Sequence, residues 1–318
     1  QIKNRILTAF QDYTYIFIDE AQRIPDIGWG LKILADNLTD VCIIAGGSSS
    51  FQLSSQIGAP LTGRTITHFL YPLSVLEIKS QFGGMNVLEH LENYLVYGMY
   101  PETLTAARTS EKVSYLSELR NAYLLKDILE LETIRNAGKL HDLLRLLAFQ
   151  IGREVSLNEL ANQLEIAKQT VSRYLDLLEK VFVIKKLEGY SGNLRKAVTK
   201  TCRYYFFDNG IRNAVINNFN SMELRNDKGM LWENFIIMER LKYQHYNQIF
   251  SNNYFWRTYD QKEVDLVEER EGRLFGYEIK WSPKKIKIQK EWLAAYENAG
   301  LNVIHSENFL NFVSYTDT

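Results

Sequence analysis

The stretch from His141 to Tyr190 constrains the fold most, because its apolar spacing changes from helical to alternating over a short span. Leu143, Leu144, Leu146, Leu147 and Ala148 form the apolar stripe of a first helix, which ends at Gly152. Ser156 followed by Glu159 predicts a capping box ahead of Leu160 and Ala161. A turn at Glu165-Ile166-Ala167 leads to a second helix over Lys168–Leu178. Its core face is Val171, Leu175 and Leu178; its other face is Lys168, Gln169, Ser172 and Arg173. Val181–Glu188 and Arg203–Phe207 then read as two strands of a β-hairpin wing. Together these segments have helix-turn-helix spacing, in which the second helix supplies the groove contacts.

The net charge of −1 gives no global attraction for nucleic acid, but the charge is unevenly placed. Lys168–Arg203 carries nine Lys/Arg and three Asp/Glu, and Lys280–Lys290 carries five lysines and no acid. Lys168, Gln169, Ser172 and Arg173 suit phosphates and base edges, which makes DNA the expected partner. Lys185, Lys186, Arg195, Lys196 and Lys200 of the wing would add backbone contacts and salt dependence. The competing reading is an interdomain or docking module that binds a protein partner or another copy of the chain.

The first part of the chain alternates helix and strand. Two short apolar runs, Tyr15–Ile18 and Val41–Ala45, read as buried parallel strands with a helix over Gly28–Asn37 between them. The first run ends in Asp19-Glu20, and the second in Gly46-Gly47-Ser48-Ser49-Ser50. Acids at the carboxyl end of a parallel strand face the crevice where ligands bind. There Asp19 would help hold Mg²⁺, Glu20 would polarise a water, and a small polar residue would sense a terminal phosphate. Leu61-Thr62-Gly63-Arg64 and Pro72-Leu73-Ser74 follow.

The ordered series I-D-E-A-Q, G-S-S-S, L-x-G-R and P-L-S resembles the second half of the AAA-type ATPase module of a large prokaryotic family. In that family an uncharacterised C-terminal domain follows the ATPase. The resemblance implies that Asp19 and Glu20 are Walker B acids, Ser48 is the sensor and Arg64 is the arginine near the phosphates. Gly46 stands where the family often has Thr. No G-x-x-x-x-G-K-[ST] phosphate loop occurs in the 318 residues, which begin at Gln1. By resemblance that loop precedes Gln1. The expectation is therefore that this chain binds ATP poorly and does not hydrolyse it, and that its partial sheet exposes apolar edges.

The last part reads α-β-β-β-α-β. A helix runs from Gly229 to about Tyr243, and strands cover Tyr254–Thr258, Glu263–Val267 and Leu274–Trp281. A lysine-rich helix over Lys284–Ala299 and a strand over Asn302–Ile304 close the unit. Residues two apart on a strand share a face, so Glu278 and Lys280 point the same way and Asp265 on the neighbouring strand can meet them. Two carboxylates can hold Mg²⁺ against a phosphate, and a lysine can position or activate a water. The arrangement resembles the PD-(D/E)xK nuclease fold, with Asp265, Glu278 and Lys280 as its motif and Glu233 as the helical acid. A set of surface ion pairs, or a member of that fold without activity, would leave the same pattern.

The expected fold is therefore mixed α/β. Residues 1–78 are the second half of an AAA-type module and 79–207 a helical linker with the winged helix-turn-helix. Residues 208–318 are a restriction-endonuclease-like core. No apolar run approaches the roughly 18 residues of a membrane span. Cys42 and Cys202 stand alone, which fits a reducing cytoplasm and supplies neither a disulfide framework nor a zinc site. Five histidines lack ligand spacing. Tyr94, Tyr97, Tyr100, Trp256, Trp281 and Trp292 read chiefly as packing residues.

Overall fold

The structure is a computed structural model that describes residues 2–47, 61, 63–121, 136–190, 202–258, 260–283 and 290–315. The chain divides into two compact units, residues 1–70 with 180–182, and residues 71–179 with 183–318.

The first unit holds α1 (Ile2–Phe10), β1 (Tyr15–Ile18), α2 (Ile27–Asn37) and β2 (Cys42–Ala45). β1 and β2 pair in parallel, from Tyr15 opposite Cys42 to Ile18 opposite Ala45. Helix α2 covers one face of this pair: Ile27 and Leu31 are buried with Ala21 and Leu61, and Ile18, Ile43 and Ala45 pack on them. Among the described residues β1 leaves side chains exposed on the opposite face. Tyr15 is 71% and Phe17 68% exposed, so β1 alternates inward and outward instead of being buried on both faces.

The second unit begins with a helical segment. α3 (Val75–Phe82) starts at a complete capping box, in which Ser74 accepts the Glu77 N–H and the Glu77 carboxylate accepts the Ser74 N–H. α4 (Gly84–Tyr97), α5 (Pro101–Thr105) and α6 (Thr109–Asn121) follow. α7 (Ala137–Phe149), β3 (Glu154–Val155), α8 (Leu157–Leu164) and α9 (Lys168–Lys180) come next, with the helices in the order and near the bounds read from the sequence. Ser156 caps α8 through the Glu159 N–H, but the Glu159 carboxylate bonds Gln163 in place of closing the capping box. Glu165 sits in the left-handed region with φ 53° and ends α8, which sets the turn into α9. Val171, Tyr174, Leu175, Leu177 and Leu178 are buried on one side of α9.

One mixed sheet organises the rest. Its strands are β3, β4 (Ile184–Gly189), β5 (Cys202–Phe206), β6 (Asn252–Arg257), β7 (Glu263–Arg270), β8 (Arg273–Ile279) and β9 (Ala299–Ile304). The order across the sheet is β3-β5-β4-β6-β7-β8-β9. β4 and β5 pair antiparallel, and β4 also pairs in parallel with β6 at Glu188–Gly189. One sheet thus takes strands from both sides of residues 207 and 208. β6, β7 and β8 are antiparallel neighbours, and β9 is parallel to β8.

Helices α10 (Asn209–Val215), α11 (Lys228–Tyr246), α12 (Lys290–Ala295) and α13 (Phe309–Ser314) complete the unit. α12 ends at Ala295, four residues before the Ala299 expected from the lysine-rich pattern, because β9 starts at Ala299. Trp256, Val264, Val267 and Trp292 form a core cluster flanked by Tyr190, Tyr254 and Tyr296, so Trp256 and Trp292 pack inward as expected. Helix α11 is buried nearly all round. Its Arg240 binds Glu268 of β7 in two-point fashion, at 2.6 and 3.0 Å, and donates to the Phe312 carbonyl at 2.7 Å. Asn234 binds both the N–H and the C=O of Phe206, which fixes α11 against β5. Among the described residues no helix is long and apolar enough to cross a membrane.

Candidate functional site

Among the described residues a cluster of charged side chains lies where α11, β5, β7 and β8 meet. The β7–β8 ladder pairs Leu266 with Tyr277 as its last step on this side. Continued by one step, that register would set Asp265 opposite Glu278, with both side chains on one face. There the Asp265 side chain takes over from the backbone: its Oδ2 accepts the Ile279 N–H at 2.8 Å. The same oxygen accepts Lys280 Nζ at 3.0 Å. Asp265 and Glu278 are 2% and 3% exposed, whereas the Lys280 side chain is 43% exposed and opens the cluster to solvent. The structure therefore brings Asp265 and Lys280 into contact as the sequence predicts.

Glu233 reaches the cluster from α11. Its Oε1 accepts the Tyr205 hydroxyl at 2.7 Å. Burial, and then the charge of Asp265, push the Glu233 carboxyl up to about 8, against the opposing pull of Arg203. Burial alone would lower the Lys280 ammonium. Asp265, then Glu278 and Glu233, outweigh that and hold it above its ordinary value.

Two residues of this site escape sequence reasoning. Arg203 on β5 lies 2.7 Å from Glu263, 3.8 Å from Glu233 and 3.9 Å from Asp265, and it stacks on the Phe255 ring at 4.4 Å. Tyr205, two positions on, faces the same way and is pushed well above its usual range by burial and then by Glu233. Both come from the hairpin read as a wing. Gly152, in the turn before β3, forms part of the wall: its φ is +74°, and a Cβ there would stand 2.8 Å from Glu233 Oε1.

The donor set suits Mg²⁺, which takes one or two carboxylates and keeps waters for its remaining positions. Asp265 Oδ2 accepts from the Ile279 N–H and Lys280, and Asp265 Oδ1 lies 3.9 Å from Arg203 as an ion-pair partner. Asp265 and Glu278 would hold the cation. Among the described residues no three His, Cys, Asp or Glu side chains are grouped as a protein-only cage, so any cation here depends on water and substrate oxygens.

Helix α9 presents the polar face read from its spacing. Lys168, Gln169, Ser172 and Arg173 are all exposed on α9. Lys185 pairs with Glu179 at 3.0 Å and Lys186 with Glu188 at 2.6 Å, so these two cations are partly offset locally. Arg195, Lys196 and Lys200 lie outside the described residues.

In the first unit Asp19 and Gly46 stand side by side at the carboxyl ends of the two strands; a Cβ on Gly46 would lie 4.0 Å from Asp19 Oδ1. Asp19 caps its own chain by accepting the Glu20 N–H at 2.9 Å. Glu20, in the left-handed region, binds Gln22 at 2.7 Å and Arg23 at 3.3 Å. Arg64 pairs with Asp36 at 2.7 Å. Ser48 lies outside the described residues.

Comparison with known proteins follows the same division. Residues 1–79 match a family model described as an AAA domain. Residues 88–222 match Domain of unknown function (DUF8612), and residues 228–312 match Domain of unknown function (DUF4143). An uncharacterised protein of Mycobacterium tuberculosis is 29% identical over 268 residues, covering 83% of this chain and 58% of its own length. Uncharacterised proteins of Haemophilus influenzae and Methanocaldococcus jannaschii are each 24% identical over 98% of this chain, and over 80% and 71% of their own lengths. The chain thus spans under two thirds of the mycobacterial relative. An AAA-domain-like region therefore comes first in this chain, and C-terminal domains of uncharacterised kind follow it.

Proposed function

We propose that residues 137–315 form a nucleic-acid-processing module, in which a winged helix binds DNA and a PD-(D/E)xK-like site cleaves phosphodiester bonds with Mg²⁺. The single observation that carries this reading is the convergence of Asp265, Lys280 and Glu233, from β7, the end of β8 and α11, on one partly open cluster. The element order α11-β6-β7-β8-α12-β9 supports it. So does the exposed basic face of α9.

Each residue has a role that follows from its surroundings. Asp265 and Glu278 would be the cation ligands. A bound Mg²⁺ supplies charge neutralisation of the phosphodiester and a more acidic water. Lys280, held protonated beside Asp265, orients a phosphate oxygen or a water at the solvent-facing side and does not serve as the base in this state. Glu233 and Tyr205 fix the inner wall. On α9, Lys168, Gln169, Ser172 and Arg173 supply phosphate and base-edge contacts. Residues 1–79 belong by this reading to an ATP-binding AAA module, with Asp19 and Glu20 as its acids and Arg64 near the phosphates. Without a phosphate loop these 318 residues would turn over little ATP.

The test is cleavage of single-stranded and duplex DNA and RNA with Mg²⁺ or Mn²⁺. The reading requires cleavage that disappears in Asp265→Ala and in Lys280→Ala. Absence of cleavage across that panel, with DNA still bound, would leave the alternative of a docking protein.

A further inference from the structure

Arg203 is 3% exposed, yet it lies among the carboxylates of Glu263, Glu233 and Asp265. A guanidinium this deeply buried does not reach a phosphodiester in solvent, so direct substrate contact is not its role. Its Nη1 is nearly equidistant from Glu233 and Asp265, at 3.8 and 3.9 Å, two acids that come from different elements and repel when both are charged. Phe255 on one side and Glu263 at the other end fix where the guanidinium sits. A cation held there also opposes a second cation placed on Asp265.

We propose that Arg203 is a positioning residue, an internal counter-cation that holds Glu233 and Asp265 in one cluster without metal and weakens divalent-cation binding at Asp265. The second half of this claim rests on the reading of Asp265 and Glu278 as cation ligands. β5 pairs with β3 at Glu154–Arg203 and with β4 at Leu187–Arg203, so the countercharge comes from the helix-turn-helix part of the chain.

The test uses the 318-residue chain as wild type, Arg203→Gln and Arg203→Lys, each alone and combined with Asp265→Asn. Urea unfolding in EDTA gives a double-mutant cycle. The loss in folding equilibrium caused by Arg203→Gln is expected to shrink by about tenfold or more when Asp265 is already Asn. Isothermal titration should show Mn²⁺ binding at least about tenfold tighter in Arg203→Gln than in wild type, with Arg203→Lys close to wild type. An additive cycle overturns the proposal, as does Mn²⁺ binding in Arg203→Gln that is unchanged or weaker. Should Arg203→Gln not fold alone, cooperative unfolding restored by adding Asp265→Asn supports the proposal, and continued failure overturns it. If neither wild type nor Arg203→Gln binds Mn²⁺, the metal reading and the affinity half of the proposal fail together, and the cycle decides the clustering role.

Discussion

Glu233 gives the acid cluster a pH signature in metal-free protein. Its carboxyl stands near 8 in the folded chain, against 4.5 for the same group in a free chain. Between those values the folded state keeps a proton that the unfolded state has lost. The sign follows directly: the unfolded state binds fewer protons, so stability falls as pH rises. The stabilising contribution is complete below about 4.5 and is lost as pH passes through about 8. At about 1.4 kcal/mol per pH unit, the full window amounts to on the order of 4–5 kcal/mol. The side chain is 18% exposed, so solvent screening reduces this only in part. Glu233→Gln removes the titrating group and keeps an acceptor for the Tyr205 hydroxyl. Urea unfolding in EDTA at several values between pH 5 and 9 should give a stability that declines more steeply for wild type than for Glu233→Gln. His141, which burial holds below its ordinary value, contributes a slope of opposite sign, but equally in both proteins. Parallel pH profiles for the two proteins would refute the assignment of Glu233 to a buried, charge-crowded site.

Three further outcomes follow from the same geometry. Lys168→Glu with Arg173→Glu should weaken duplex DNA binding and lower the salt slope by about 2, at about 0.9 per phosphate contact, measured by fluorescence anisotropy across salt concentrations. Gly152→Ala places a Cβ 2.8 Å from Glu233 Oε1 at φ +74° and should cost about 1–3 kcal/mol in urea unfolding. Glu268→Gln leaves the buried Arg240 without its two-point partner and should cost about 3–5 kcal/mol by the same method.

The local elements were largely legible in the sequence. The spacing of Val171, Leu175 and Leu178 fixed the buried side of α9, and Ser156 marked the start of α8. The two-residue spacing of Glu278 and Lys280, with Asp265 on the neighbouring strand, pointed to the meeting of Asp265 and Lys280 that the structure shows. What was not legible depends on pairing between distant strands. The parallel contact between β4 and β6 has no local signal, and it is this contact that joins the hairpin to β7 and β8. Arg203 therefore read as one more basic residue of a wing, although it is buried in the acid cluster. β5 is buried on both faces from Arg203 to Phe206, so it lacks the two-residue alternation that would have shown which residues point inward. Glu239, Arg240 and Lys242 hide the burial of α11 in the same way, because each is satisfied internally rather than by solvent.

The claim on which the functional reading depends is that Asp265 and Glu278 together hold a divalent cation. Crystals soaked in Mn²⁺ and measured at the manganese absorption edge test it directly. The account predicts an anomalous peak within about 2.0–2.3 Å of an oxygen of each carboxylate. A well-occupied manganese elsewhere, or none beside these two residues, would contradict it.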